Sequence, residues 1–133
     1  MSNETRVGIV LVSHSAALAE GTAEMAGQIS GGSVIIAAAG GTDEGGIGTS
    51  IARVRRAVQA AGTSAGVVIL PDLGSSVLTV RALLAEEEFP GPVALADAPF
   101  VEGAVAATVT AAAGGDVKAV LQAAEEARHA RKL

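Results

Sequence analysis

Apolar positions in this chain fall into short dense runs, separated by longer stretches in which they recur every three or four residues. The first run, Val7-Gly8-Ile9-Val10-Leu11-Val12, stops abruptly at Ser13-His14-Ser15. β-Branched residues without polar alternation suit a strand buried on both faces, as in a parallel sheet covered by helices. Leu18, Met25, Ala26 and Ile29 then recur at helical spacings over 16–29, with Ser15 placed to cap the helix and Gly31-Gly32 to end it. Val34 to Ala38 predicts a second strand, followed by a Gly-rich stretch over 40–46. From about Gly48 a second helix is expected, with Ile51, Val54 and Val58 on one face and Arg53, Arg55 and Arg56 on a solvated one.

Val67 to Leu70 reads as a third buried strand, ending at Pro71-Asp72-Leu73-Gly74-Ser75-Ser76. A third helix is predicted over 76–88, with Val77, Val80, Leu83 and Leu84 inward, until Phe89-Pro90-Gly91-Pro92 breaks it. Val93 to Ala96 gives a fourth strand and 101–112 a fourth helix. After Gly114-Gly115, Asp116 caps a last helix whose charged end, about 125–133, is a terminal helix or a frayed tail. The alternation predicts an α/β fold: an open, doubly wound parallel four-stranded sheet, order 2-1-3-4, with helices on both faces and one domain over 1–133. In that order the connections leave strands one and three in opposite directions. His14 and Asp72, which end those strands, therefore meet at the switch point, where open α/β sheets hold their ligands.

Composition narrows the chemistry. Half of the 133 residues are hydrophobic but only Phe89 and Phe100 are aromatic, so the core is built from small aliphatic side chains. A net charge of −5 leaves no basic field for a phosphate backbone, which argues against nucleic acid as a partner. The lack of cysteine excludes disulfides, thiolate metal sites and cysteine nucleophiles, and fits a cytoplasmic protein. Met1 to Arg6 is polar and the apolar run after it is short and lacks a small-residue cleavage site, so no leader is expected; no stretch reaches the roughly 20 apolar residues of a membrane span, so no membrane insertion is expected.

A carboxylate on one ring nitrogen of a histidine fixes the tautomer and leaves the other nitrogen oriented and nucleophilic. His14 and Asp72 are accordingly the candidate catalytic pair, nucleophile and orienter. Ser13, Ser15, Gly40, Thr42, Gly74, Ser75 and Ser76 are the candidate phosphate-binding groups, since hydroxyls and amides at a helix N-terminus suit a phosphoryl group. No metal site and no cofactor are expected. The Gly-rich stretch lacks the Gly-Lys-Ser/Thr ending of a P-loop. Glu102 reads as a carboxylate favoured by a helix dipole, and His129 as part of a charged terminus remote from catalysis. Plainer readings stay open: a structural hydrogen bond for His14, a turn for Asp72, and a helix cap for 74–76.

The segments VSHSAALAEG around His14, IGT over 47–49, LPDLGSS around Asp72 and APFVEGAVAATVTAAAG over 98–114 resemble the DhaM family. Its members are phosphoryl-carrier subunits of dihydroxyacetone kinases dependent on the bacterial phosphotransferase system. The likeness runs from Val7 to about Ala124, and the VEGAVAATV segment sets this family apart from sugar-permease relatives. It implies a homodimeric domain of the mannose-type enzyme IIA kind, with His14 taking phosphate from the carrier protein HPr and giving it to ADP in the nucleotide-binding kinase subunit, which works with a dihydroxyacetone-binding subunit. It further implies that Asp72 orients His14 and that magnesium belongs to the nucleotide subunit. Many members continue into an HPr-like domain; this chain stops at Leu133, so the resemblance implies a separate HPr. Rival readings are an enzyme IIA serving a sugar permease, a chelatase-like metal-binding domain, and a non-catalytic scaffold or sensor.

Overall fold

A computed structural model describes residues 6–133; the N-terminal segment up to residue 5, on which the expectation of no leader falls, lies outside the described residues. The element order is β1 (Gly8–Ser13), α1 (Ala16–Ser30), β2 (Ile36–Gly40), α2 (Ile51–Ala61), β3 (Val67–Pro71), α3 (Gly74–Glu86), β4 (Val93–Leu95), α4 (Phe100–Ala112) and α5 (Val117–Glu126), closed by a 3-10 turn at Ala127–His129. All strand pairs are parallel, and the sheet order is β2-β1-β3-β4, the doubly wound order expected from the sequence.

β1 and β3 are buried at every position, which is why their sequences show no polar alternation. The pleat nevertheless divides their side chains between two cores. Ile9, Leu11, Val68 and Leu70 face α1, α4 and α5, whereas Val10, Val12, Val67 and Ile69 face α2 and α3. Small residues set the depth of the first core: Ala104, Ala107 and Ala111 of α4 are fully buried against the sheet. At Gly103 a Cβ would stand 3.1 Å from both Leu70 and Ala98 side-chain atoms, so the glycine lets α4 lie close over β3.

Several boundaries differ from the sequence expectation, α2 for one beginning at Ile51 instead of about Gly48, and two of them bear on the site. β2 begins two residues later than Val34 and runs through Ala39 to Gly40, because the register pairs Ser13 with Gly40 and brings the start of the Gly-rich loop level with His14. α3 begins at Gly74 instead of Ser76, placing Gly74, Ser75 and Ser76 inside its first turn. Two of the three α2 arginines, Arg53 and Arg55, are less solvated than their periodicity suggests, whereas Arg56 is exposed. Arg55 bridges to Glu86 at 3.2 Å and Glu87 at 2.9 Å, tying α2 to the end of α3. At the other end of the chain Arg128 lies against Asp97, and Lys132 pairs with Glu102 at 2.9 Å. That ion pair lowers the pKa of Glu102's carboxyl below its usual value, chiefly through the Lys132 hydrogen bond. No helix among the described residues is long and apolar enough to cross a membrane.

Candidate active site

His14 leaves β1 in the two-residue gap before α1. Its backbone is fixed from two sides: the amide donates to Asp72 Oδ2 at 2.9 Å, and the carbonyl accepts from the Gly48 amide at 2.9 Å. Ser15 then caps α1 by accepting from the Leu18 amide, as its position predicts. Gly40 supports this gap from below. A Cβ there would stand 2.5 Å from the Ser15 carbonyl oxygen and 2.6 Å from Ala16 Cα, so only glycine lets β2 end directly beneath the histidine segment.

Asp72 follows β3, and adjacency of β1 and β3 brings its carboxylate to the imidazole. His14 Nδ1 lies 3.0 Å from Asp72 Oδ1, with 20% of the histidine side chain and 9% of the aspartate side chain exposed. A carboxylate only accepts, so Nδ1 carries the proton and Nε2 presents its lone pair outward. Beside Nε2, at 2.5 Å, stands the Ser75 hydroxyl, which donates to it. The backbone amides of Gly74 and Ser75 belong to the first turn of α3, where N–H groups lack intrahelical acceptors and the helix dipole favours an anion.

The carboxylate of Asp72 is crowded with donors. Oδ1 accepts from His14 Nδ1, the Leu73 amide at 2.7 Å and Ser76 Oγ at 2.6 Å; Oδ2 accepts from the His14 amide and Ser13 Oγ, both at 2.9 Å. Partial burial pushes the Asp72 pKa up. The hydrogen bonds from Ser76, the His14 amide, the His14 ring and Ser13 outweigh it, and the net effect holds the carboxyl far below the ordinary aspartate range.

The structure therefore sorts the predicted phosphate-binding residues. Ser75 and the start of α3 stand beside Nε2. Ser13 and Ser76 are fully buried and turn their hydroxyls onto Asp72. Thr42 closes the Gly-rich loop on itself by accepting from the Gly46 amide, and Gly40 offers its carbonyl to Arg53. Glu102 is engaged with Lys132, and His129 lies in the terminal 3-10 turn. Beyond Asp72, an open cleft of about 530 Å³ runs between α3 and the ends of β3 and β4, with Leu73, Val77, Arg81 and Asp97 in its wall. Among the described residues, no group of three or more His, Cys, Asp or Glu side chains is disposed to hold a metal ion. What the site offers is one exposed imidazole nitrogen, a hydroxyl and helix-terminal amides, which suits transfer of an oxyanion group to nitrogen.

Sequence reading alone did not find what holds the Gly-rich loop. Arg53 reaches from α2 to Asp43 at 3.4 Å, and Ser50, the cap of α2, donates to the same carboxylate at 2.8 Å. Thr49 Oγ1 lies 2.7 Å from Thr79 Oγ1 of α3. The IGT segment over 47–49 thus supplies both the Gly48 amide on His14 and a link to α3; an arginine and an acid flanking a glycine run were the only sequence signals.

Residues 8–121 match the EIIA-man family, described as the PTS system fructose IIA component. A phosphoryl donor subunit DhaM of PEP-dependent dihydroxyacetone kinase from Escherichia coli is 37% identical over 95% of this chain, which spans 28% of that protein's length. The counterpart from Pantoea ananatis is 38% identical with the same coverage. A DhaM of kinase 2 from Listeria innocua is 34% identical over 87% of this chain and 94% of its own. The crystal structure of a protein of unknown function superposes with a TM-score of 0.79 and 32% identity, covering 91% of this chain and 94% of that one. The fold, the matched span and these identities place the chain in the EIIA-man family, among relatives of the DhaM phosphoryl donor subunits.

Proposed function

We propose that this chain is a phosphocarrier domain that takes a phosphoryl group from HPr onto His14 Nε2 and passes it to ADP held in the nucleotide-binding subunit of a dihydroxyacetone kinase. The observation that carries the reading is the division of labour on one ring: Nδ1–H is held by Asp72, and Nε2 emerges beside Ser75 and the first turn of α3. In the forward step the Nε2 lone pair attacks phosphorus, the bond from phosphorus to the donor's histidine nitrogen breaks, and that nitrogen keeps the electron pair. Ser75 swings its hydroxyl from Nε2 to an oxygen of the incoming group, and the amides of Gly74 and Ser75 face its negative charge. The imidazole becomes cationic at this stage and Asp72 offsets the charge. The second step reverses these roles, with an oxygen of the ADP terminal phosphate as nucleophile. Position and charge account for such transfers, so no cofactor of the domain itself enters. Relatives named as phosphoryl donor subunits of a kinase support this direction of flow. We further propose that residues 1–133 form one domain that works as a homodimer in the cytoplasm, beside the nucleotide-binding and dihydroxyacetone-binding kinase subunits.

The test uses purified HPr, enzyme I and phosphoenolpyruvate. One acid-labile phosphate per chain is expected, absent in His14→Ala, and discharged when the ADP-loaded kinase subunits are added. Phosphorylation without discharge would leave a sugar-permease component as acceptor. No phosphorylation at all would overturn both.

A further inference from the structure

Asp72 accepts five hydrogen bonds, more than orienting one imidazole requires. Two come from backbone amides, those of His14 across the sheet and Leu73 next in sequence, and one from the His14 ring itself. The other two come from side chains that are fully buried, Ser76 at 2.6 Å and Ser13 at 2.9 Å. Buried hydroxyls on helices have a simpler outlet: Thr108, equally buried, donates to the carbonyl four residues back at 2.7 Å. Ser76 instead donates to the carboxylate four residues back, and its oxygen stands 3.3 Å from His14 Nδ1. About four lone-pair directions are available on a carboxylate, so five donors saturate it. A saturated carboxylate is a weak base. The hydrogen bonds of Ser76 and Ser13 also act, against partial burial, to hold Asp72 ionised.

We propose that Ser76, with Ser13 beside it, is a positioning residue that stops Asp72 from drawing the proton off His14 Nδ1 and so keeps the phosphorylated ring a good leaving group. The proposal rests on the phosphocarrier reading. With phosphorus on Nε2 and the proton retained on Nδ1, the ring is cationic. Cleavage of the phosphorus–nitrogen bond then returns the electron pair to Nε2 and releases neutral imidazole. Were the proton to pass to Asp72, the phosphorylated ring would be neutral and its departure would leave an anionic imidazolate, a far poorer leaving group. Donors to Asp72 thus set how readily His14 gives up its cargo. Other charged groups near the carboxylate are few: Arg81 of α3 and Asp97 after β4 border its cleft, and Asp43 and Arg53 are paired with each other at the Gly-rich loop.

The carboxyl carbon of Asp72 is followed by NMR against pH in the unphosphorylated wild type, Ser76→Ala and Ser13→Ala. Loss of the Ser76 hydroxyl is expected to raise the Asp72 titration by about one unit, with a smaller rise for Ser13→Ala. Phosphorylated Ser76→Ala is expected to lose its phosphoryl group to the ADP-loaded kinase subunits roughly threefold more slowly or worse, while still being phosphorylated on His14. A hydroxyl that only filled space would move neither reading. An unmoved titration overturns the proposal, as does a raised titration with unchanged discharge. A wild type that takes no phosphate from HPr overturns the phosphocarrier reading, and this role with it, whatever the titration shows.

Discussion

At the scale of single residues, the site depends on His14 having two different nitrogens. Asp72→Ala removes the group that distinguishes them and is expected to slow phosphorylation by roughly a hundredfold, the usual cost of misplacing a reacting atom. The same change strips the acceptor from the buried Ser13 and Ser76 hydroxyls, which costs about 1–3 kcal/mol in a urea titration but leaves the fold in place. An unchanged phosphorylation rate would remove Asp72 from the mechanism. Ser75→Ala differs in kind: its hydroxyl is exposed and meets Nε2. It should leave stability within about 0.5 kcal/mol of wild type and slow transfer, read by quenched-flow phosphorylation.

Elements, in turn, depend on how close their backbones come. Gly40 lets the end of β2 touch the gap between β1 and α1, with a would-be Cβ 2.5 Å from a backbone oxygen that cannot step aside. Gly40→Ala is expected to cost about 1–3 kcal/mol and to displace His14 from Asp72, so that stability and phosphorylation rate fall together. Between α2 and α3, Arg55 makes a partly exposed ion pair with Glu86 and Glu87. Arg55→Ala should cost no more than about 1 kcal/mol, and the loss should shrink in high salt. The sequence showed that these helices and strands exist, and it put the caps Ser15 and Asp116 where the structure has them. It misplaced the starts of β2, α2 and α3; those of β2 and α3 are set by register with β1 and by the turn onto Asp72, both contacts across the sheet.

For the whole molecule, the Asp72 carboxylate is also a stability term that depends on pH. Asp72 has a folded pKa below its unfolded value of about 3.9. Its contribution is therefore fully present above that value and is lost as pH falls below about 4 toward the folded pKa. The stability gap between wild type and Asp72→Asn, followed by circular dichroism in urea at and below pH 5, should narrow as pH falls below about 4. A gap that widens on acidification would contradict the assigned ionisation. At this scale the sequence by itself determined much: the order of elements, the parallel doubly wound sheet, the helix caps, and the pairing of His14 with Asp72. All of these follow from local periodicity and from the handedness of crossovers, which depend on near neighbours along the chain. The tertiary structure alone decided the direction in which each hydroxyl points. Ser13, Ser75 and Ser76 look alike in sequence, but packing buries two of them against Asp72 and leaves the third beside Nε2. Likewise, Arg53 looks like any surface arginine until the folded loop brings Asp43 and the Gly40 carbonyl within its reach. Hydrogen-bond partners at such sites are chosen by distances of a few ångströms between segments far apart in sequence, and a linear pattern carries no measure of those distances.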